Sequence, residues 1–364
     1  MHMIGNDGRS ADRLGHDVRM RWRRRLGKAA VAATVAVAAA HLAGGAGRTT
    51  VAAPAVLPAH EPAGAAGDRL LIEPDDGIAP IDRLLAAPRR SLDLEIYELS
   101  DPTAESILAA DAGRGVRVRV VLDRHLEGAR NAAAAAYLRS SGVLLAWAGP
   151  AFFASHEKAF VVDDAVAVVM SLNLVSTDYA TTRDAAVVDR DPADVAAIET
   201  VFAADFAGRP VGTPAADDLV WSPGQSAADL VALINGAHHS IVAESEELSS
   251  PRVIDALIQA ARRGVAVSLA MTDETSWHSA WTALVAAGGH VAVMYGERPL
   301  YIHAKLLAID AGEPDGRAFV GSENFSDASL LHDRELGIVL VAPGLVDTVG
   351  RVVAADVRAG RSWP

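Results

Sequence analysis

Two stretches decide the fold of this chain, because the second repeats the pattern of the first. The first is LLIEPDDGIAPIDRLLAAPRRSLDLEIYELSDP, from Leu70, and the second is LVWSPGQSAADLVALINGAHHSIVAESEELSSP, from Leu219. Their prolines, Pro74 and Pro223, lie 149 positions apart, and the glycines of RGVRVRVVL and RGVAVSLAM keep the same spacing. A period near 150 residues indicates a duplicated domain rather than a solenoid.

Each half alternates short apolar strands with amphipathic helices. The predicted strands are Ser91–Tyr97, Val116–Leu122, Ile241–Glu244 and Val265–Met271, and the helices between them are Ala104–Ala112 and Val253–Arg263. Strands that alternate with helices of this length are typical of α/β units with a largely parallel sheet. We therefore predict an α/β fold of two duplicated domains that pack side by side, each a mostly parallel sheet flanked by helices.

The first fifty residues differ from the rest of the chain. Four arginines and Lys28 precede an alanine-rich apolar run from Ala29 to about Leu42, and an Ala/Pro stretch follows. This order is typical of a secretory signal, although an uncleaved anchor and a true start at Met20 stay open. We predict a signal or anchor over 1–50, a linker over 51–67, a first repeat over 68–212 and a second over 213–364. The protein is expected to be exported, either secreted or associated with the cell envelope.

Composition limits the possible chemistry. The 364 residues are 51% apolar and 22% charged, which is typical of a globular protein with room for two domains. The chain has no cysteine, so disulfides and thiolate metal sites are excluded. Residues 51–364 carry 24 basic and 43 acidic groups, a formal charge of −19. Such a surface repels nucleic acid at long range unless a local groove is basic.

One set of polar residues occurs once in each half. The set from HEKAFVVD, SLN and RD is His156, Lys158, Asp163, Asn173 and Asp184. The set from HAKLLAID, GSEN and RE is His303, Lys305, Asp310, Ser322, Asn324 and Glu335. In both halves the acid follows the asparagine by eleven positions. Repetition in register gives these residues the context that a single motif would lack.

The use of lysine points to the chemistry of this set. Lys28, Lys158 and Lys305 are the only lysines, beside 30 arginines, and the last two each stand two residues after a histidine. Lysine offers a compact ammonium, which suits a tight pocket around one phosphate oxygen. In a strand, residues i and i+2 share a face, so each histidine projects with its lysine. By the same alternation Asp310 falls on the opposite face, so we expect Asp163 and Asp310 to support the site from behind, away from the phosphate.

The two copies of H-x-K-x-x-x-x-D, each followed by S-x-N, resemble the paired motif of the phospholipase D superfamily over nearly all of residues 68–364. The resemblance implies pseudo-twofold packing in which both His–Lys–Asn sets meet at one interface. It also implies a two-step transfer at a phosphodiester, without a metal or other cofactor. His156 would be the nucleophile that forms a phosphohistidine and His303 the general acid/base, although the near symmetry leaves the reverse assignment open.

The same resemblance assigns roles to the other members of the set. The lysines and asparagines would hold the non-bridging oxygens of the phosphate, with Ser322 as an additional donor or support. Asp184 and Glu335 stand where the family has acids that orient the histidines, and ordinary charged strand ends are the alternative. Met170 replaces the glycine of G-S-x-N in the first half. We expect Met170 to narrow the pocket or shift the turn without abolishing activity.

Three functions are compatible with this set. Expected export, the acidic surface and the lack of a basic stretch interleaved with aromatics favour phospholipase D-type hydrolysis or head-group transfer on a phospholipid, with transient contact to a membrane surface. A cardiolipin-synthase-like transferase shares this chemistry. The alternatives are a phospholipase D-family endonuclease and a non-catalytic lipid- or phosphate-binding protein. Candidates for an acyl-chain entrance, with core packing as the alternative, are Trp147, Phe152, Phe153, Trp277, Trp281 and Tyr295.

Overall fold

A computed structural model describes residues 68–212, 214, 218–295 and 300–364. The predicted signal or anchor over 1–50 and the linker over 51–67 lie outside the described residues, so both stay predictions. Within the described ranges, the helices are too short or too polar to cross a membrane.

The first repeat alternates strands and helices as its sequence predicts. Its elements are β1 (Arg69–Glu73), α1 (Ala79–Leu85), β2 (Ser91–Ile96), α2 (Pro102–Gly113), β3 (Arg117–Leu122), α3 (Gly128–Ser140), β4 (Leu144–Trp147), β5 (Lys158–Val162), β6 (Val166–Met170), β7 (Thr182–Asp189) and α4 (Pro192–Phe206). Local chemistry explains the helix starts. Asp101 caps α2 by accepting a hydrogen bond from the N–H of Thr103, and a proline follows the cap. Asp191 caps α4 in the same way.

The second repeat follows the same order, which confirms the duplication. Its elements are β8 (Leu219–Ser222), α5 (Ser226–Gly236), β9 (Ser240–Glu244), α6 (Pro251–Arg262), β10 (Ala266–Thr272), α7 (His278–Ala286), β11 (His290–Met294), β12 (Tyr301–Ile302), β13 (Lys305–Ile309), β14 (Arg317–Gly321), α8 (Asp327–His332), β15 (Glu335–Leu340), α9 (Pro343–Ala359) and β16 (Arg361–Ser362). A single 3₁₀ turn, Thr275–Trp277, precedes α7.

Each repeat builds one mixed sheet, which differs in one respect from the mostly parallel sheets that we expected. The first sheet has the order β1-β7-β6-β5-β2-β3-β4, and the second has the order β16-β11-β10-β9-β13-β14-β15-β8. Among pairs of strands from the same repeat, the parallel ones are the helix-connected strands β2 to β4 and β9 to β11. The strand pairs β5/β6 and β13/β14 follow one another without a helix and are antiparallel. Short connections reverse the chain, whereas parallel strands need a longer crossover.

An apolar layer shared by both repeats joins the two sheets. Alternate residues of the central strands point into it, among them Val161 and Val169 from the first repeat and Leu306 and Val320 from the second. The other faces of the sheets pack under α1 to α3 in one repeat and under α5 to α8 in the other. Because both sheets bury the same face against each other, the ends of β5 and β13 that carry the histidines meet at the seam between the repeats.

The backbone also crosses this seam in two corresponding places. Strand β12 leaves its own sheet and pairs in parallel with β7 of the first repeat. At the corresponding place, Ser155 bridges to Arg334. Each crossing segment runs directly into a histidine–lysine pair, so the contact between the repeats also fixes the backbone of the candidate site.

Candidate active site

The two histidine–lysine pairs begin β5 and β13, at the seam. The N–H of His156 donates to the carbonyl of Arg334 at 2.9 Å, and the N–H of His303 donates to that of Arg183 at 3.2 Å. Each lysine ammonium donates to the carbonyl oxygen of the histidine two residues before it. Both lysines are at most 1% exposed. A buried ammonium is stable only beside polar or anionic groups, so these cations suit a bound phosphate.

Each histidine is held by an acid from the opposite repeat. The Nδ1 of His156 lies 2.8 Å from a carboxylate oxygen of Glu335, and the Nδ1 of His303 lies 2.7 Å from one of Asp184. A carboxylate at Nδ1 fixes the tautomer and makes Nε2 the nitrogen for chemistry. This is the contact that the predicted orienting role requires. Neither repeat completes it alone.

Serine hydroxyls support both acids. Ser171 donates to Asp184 at 2.6 Å, and Ser329 donates to Glu335 at 2.5 Å. The hydroxyl of Ser322 also contacts Glu335 and accepts the N–H of Leu336 at 3.1 Å. The sequence analysis missed Ser171 and Ser329. Ser171 has a signal in the sequence, because it stands 151 positions before Ser322 in the register of the repeat.

The pKa values of the two orienting acids are shifted in opposite directions. Burial disfavours the charge of Asp184, but His303 and Lys305 outweigh it, so the pKa of Asp184 lies below its usual 3.8. Burial dominates at Glu335 and raises its pKa to about 7, although Lys158 and the serine hydroxyls oppose the shift. Burial also lowers the pKa of His303 against the effect of Asp184. The charges of both lysines oppose the rise in the pKa of Glu335.

Asn173 and Asn324 occupy matching places after β6 and β14. Both residues are at most 5% exposed. Among the described residues, the side-chain oxygen of each amide has no hydrogen-bond partner. Buried amides in folded proteins are normally satisfied, so an open pair at one seam indicates groups that face a ligand.

Asp163 and Asp310 do not lie behind the site, and that expectation was wrong. Asp163 accepts hydrogen bonds from the backbone N–H groups of residues 89, 90 and 91, at the start of β2. Asp310 accepts them from residues 238, 239 and 240, at the start of β9. Five residues of strand place each aspartate roughly 17 Å from its lysine. Both acids tie neighbouring strands together at the far end of the sheet.

The side chain of Met170 is packed in the core of the first repeat, whereas the corresponding Gly321 leaves no room for a side chain. Met170 is fully buried in an apolar cluster with Leu172, the residue that corresponds to Glu323. At the matching position, a Cβ on Gly321 would lie 2.6 Å from the backbone of Gly337. The turn after Met170 is not shifted, because Ser171 and Asn173 keep their matching places. The effect of Met170 on activity stays a prediction.

Two further side chains contact the histidines, and the sequence analysis missed both. The Tyr97 ring packs edge-on against the His156 ring, with centroids 4.6 Å apart, and lies 5.0 Å from the ammonium of Lys158. Glu246 has one carboxylate oxygen 3.3 Å from the Lys305 ammonium and 3.7 Å from Nε2 of His303. Tyr97 and Glu246 are 149 positions apart, so the repeat itself was the signal.

Two buried arginines lock the repeats together beside the site. Arg183 reaches Asp356 at 2.6 Å, and Arg334 reaches Asp205 at 2.7 Å, so each arginine binds the terminal helix of the opposite repeat. Oxygens of Glu95, Glu157 and Asp205 lie within 4.8 Å of one another. This acidic group was not predicted from the sequence, because its three members are far apart along the chain. The guanidinium of Arg334 pairs with Asp205, so a positive charge already balances part of the charge of this acidic group.

A groove of about 1050 Å³ is lined in part by the segment that leads into His156, although His156 itself does not line it. Its wall includes Trp147, Phe152, Phe153 and Leu331, with the polar groups of Arg124, His125 and His332. The groove adjoins the site, because the N–H of Phe153 donates to the carbonyl of His332 at 3.0 Å, two residues before the contact of Arg334 with His156. Of the other candidate aromatics, Trp277 and Trp281 are buried in the second core, and Tyr295 is exposed beside Arg361.

Comparison with known proteins places this geometry in context. The family model described as "Cardiolipin synthase, PLD-like domain" matches twice, over residues 81–206 and 230–356. Phosphatidylserine synthase of Haemophilus influenzae Rd KW20 superposes with a TM-score of 0.60 at 12% identity, over 81% of this chain and 87% of the synthase. Polyphosphate kinase of Porphyromonas gingivalis gives 0.63 at 17% identity, over 80% of this chain and 50% of the kinase, so the chain spans half the length of that enzyme. No curated protein sequence matches the chain.

Proposed function

We propose that this chain hydrolyses or exchanges the head group of a phospholipid. The proposal starts from the fact that the chain belongs to the family described as the PLD-like domain of cardiolipin synthase. The motif resemblance to the phospholipase D superfamily is thereby confirmed. One observation supports the proposal above the others. His156 and His303 stand at one seam, each with Nδ1 bound to a carboxylate of the opposite repeat.

The chemistry follows in two steps. Nε2 of His156 attacks phosphorus, the P–O bond to the head group breaks, and His303 gives its proton to the leaving oxygen. His303 then removes a proton from water or a second alcohol, whose oxygen attacks phosphorus and breaks the P–N bond. Glu335 holds the Nδ1 proton of His156 throughout, and Asp184 does the same for His303. The assignment of His156 as nucleophile comes from the family resemblance.

Charge stabilisation comes from groups that are already in place. Lys158 and Lys305 are buried beside the histidines, and the side chains of Asn173 and Asn324 open at the same seam. Fixed charges and dipoles in a water-poor site stabilise the extra negative charge of the transition state more than mobile solvent does. This account needs neither a metal nor a cofactor.

A lipid substrate is favoured by the groove that the segment leading into His156 helps to line. Its aromatic and aliphatic wall suits acyl chains or glycerol better than a polynucleotide backbone. The formal charge of −19 over residues 51–364 also opposes long-range attraction of nucleic acid. We further propose brief contact with a membrane surface and export by the segment over 1–50, as the order of its basic and apolar regions predicts.

Head-group release tests the proposal. Vesicles of phosphatidylcholine, phosphatidylethanolamine and phosphatidylglycerol are incubated with the full chain in a chelator, and released head groups are quantified. We expect release by the wild type, its loss in His156→Ala, and its retention in His290→Ala, a histidine that contacts Ser362 at an edge of the second sheet. Plasmid cleavage that depends on His156 without lipid turnover would instead establish the endonuclease alternative. Lipid binding without turnover would establish the non-catalytic one.

A further inference from the structure

The site is symmetric in its phosphate-binding groups and asymmetric at one position beside them. Histidine, lysine and asparagine recur in both repeats, and each histidine has its crossed acid. After β2, however, the site has the neutral ring of Tyr97, whereas after β9 it has the carboxylate of Glu246. The side chain of Glu246 is 6% exposed, so this charge belongs to the interior of the site.

This carboxylate is an anionic neighbour of the buried Lys305 ammonium, but it works against the binding of a phosphate. Glu246 lies 3.3 Å from the ammonium of Lys305, where it offsets positive charge and repels an anion. It is also not needed to orient His303, because Asp184 already holds Nδ1 of that ring at 2.7 Å. A substrate that brings its own positive charge next to the phosphate would turn this repulsion into attraction.

The position of Glu246 indicates which part of a substrate would bring that charge. One of its oxygens lies 3.7 Å from Nε2 of His303, the nitrogen that protonates the departing head group in the proposed function. In an amino-alcohol head group, two carbons separate the departing oxygen from the nitrogen. An ammonium group would therefore reach the carboxylate while the ester oxygen contacts His303.

Tyr301 prepares the carboxylate for this contact. Its hydroxyl donates to the other oxygen of Glu246 at 2.7 Å. Its ring lies nearly parallel to that of His303, at 27° with centroids 6.4 Å apart. A carboxylate fixed beside an aromatic ring is a recognised arrangement for alkylammonium groups, because the ring face also attracts cations.

The rims of the two halves have the same polarity as their interiors. Arg124 and His125, which follow β3 after the buried Asp123, line the apolar groove. At the matching positions after β10 stand Asp273 and Glu274. The first repeat thus offers an apolar and basic side to a ligand, and the second offers an acidic side.

We propose that Glu246, held by Tyr301, binds the ammonium group of an amino-alcohol head group, so that the substrates are phospholipids such as phosphatidylethanolamine and phosphatidylcholine rather than phosphatidylglycerol. The inference rests on the proposed function, because it takes His303 as the group beside the departing alcohol. It assigns the acidic half of the site to the head group and the apolar half to the lipid.

The test compares head groups in Glu246→Gln, which keeps the shape and removes the charge. We expect kcat/KM for phosphatidylethanolamine and phosphatidylcholine to fall tenfold or more, while that for phosphatidylglycerol changes less than threefold. Tyr301→Phe should shift the same ratio by a smaller factor, and Glu246→Asp should restore part of it. The matched control is Glu313→Gln, an exposed glutamate beyond the far end of β13. Equal losses on all three lipids, or no loss, would overturn the inference.

A binding measurement separates this inference from the proposed function. Calorimetry of the wild type with phosphoethanolamine and with glycerol 3-phosphate needs no turnover. We expect tighter binding of phosphoethanolamine and loss of that preference in Glu246→Gln. If no lipid is turned over but the preference and its loss are seen, the proposed function fails and the ammonium site stands. Equal binding of both ligands overturns the ammonium site, whatever the turnover.

Discussion

The two repeats share a backbone plan but differ around and beneath the histidines. Tyr97 in the first corresponds to Glu246 in the second, and the space that Met170 fills in one is taken up in the other by Gly337 and the side chain of Phe319, which pack against Gly321. The orienting acids differ too, since Asp184 has a lowered pKa and Glu335 has a raised one. The histidine, lysine and asparagine of the site are the same in both repeats. The divergence gives one site two unlike sides.

The largest expected effect comes from breaking the crossed contacts to the histidines. Asp184→Asn and Glu335→Gln keep the shape of each acid but favour the wrong tautomer of the ring in the opposite repeat. We expect each to lower kcat by about 10²–10⁴, the usual range for general acid–base catalysis. Steady-state kinetics on a soluble phosphodiester would measure it, with thermal unfolding as the check on folding. A loss below threefold in either variant would contradict the orienting role.

The next comparison concerns the two buried arginine–aspartate pairs between the repeats, Arg183 with Asp356 and Arg334 with Asp205. Arg183→Met and Arg334→Met each leave a buried aspartate of the opposite repeat without its cation. Removing one partner of a buried ion pair typically costs about 3–5 kcal/mol. Urea unfolding should give similar losses for both variants and almost none for Arg351→Met on the exposed face of α9. A much smaller loss for one arginine would show that the two pairs are not equivalent.

A smaller effect on the free energy of unfolding is expected when residues of the first repeat are placed at the corresponding positions of the second. In Gly321→Met the new side chain collides with the backbone of Gly337 and with Phe319. Overpacking of this kind costs about 1–3 kcal/mol. The double variant Gly321→Met/Glu323→Leu copies the first repeat more fully and should recover part of the loss. If Gly321→Met alone unfolds at the same urea concentration as the wild type, the packing comparison is wrong.

The last expected effect is the pH dependence of stability. Burial raises the pKa of Glu95 to about 8 from 4.5, and it also raises the pKa of Glu244, its counterpart in the second repeat. The folded protein keeps a proton on Glu95 that the unfolded chain loses, so the free energy of unfolding falls as pH rises from about 4.5 to about 8. The slope is at most about 1.4 kcal/mol per pH unit for one group. Urea titrations at pH 6 and 8.5 should show this fall, and Glu95→Gln should reduce it. A rise in stability over this range would contradict the assignment.

The duplicated α/β fold and the set of site residues could be predicted because the repeat supplied its own comparison. Spacing along the chain could not show that each acid contacts the histidine of the opposite repeat. Asp184 and Glu335 would stand at the same sequence positions if each contacted the histidine of its own repeat. Strict strand alternation also failed for Asp310, which lies past the end of β13 with a φ of 48° and belongs to a turn. Glu246 was missed because the site residues were found by looking for residues that recur in both repeats, whereas Glu246 corresponds to a tyrosine, Tyr97, in the first repeat.

One measurement tests the central claim that both repeats build a single site. Hydrolysis of a soluble phosphodiester is compared in the wild type, in His156→Ala, in His303→Ala and in the double variant. A composite site predicts that each single variant loses at least about 10³-fold, since both imidazoles serve every turnover, and that the double variant is hardly worse. Single variants that each retain about half of the wild-type rate, with activity lost only in the double variant, would mean two independent sites and would contradict the account.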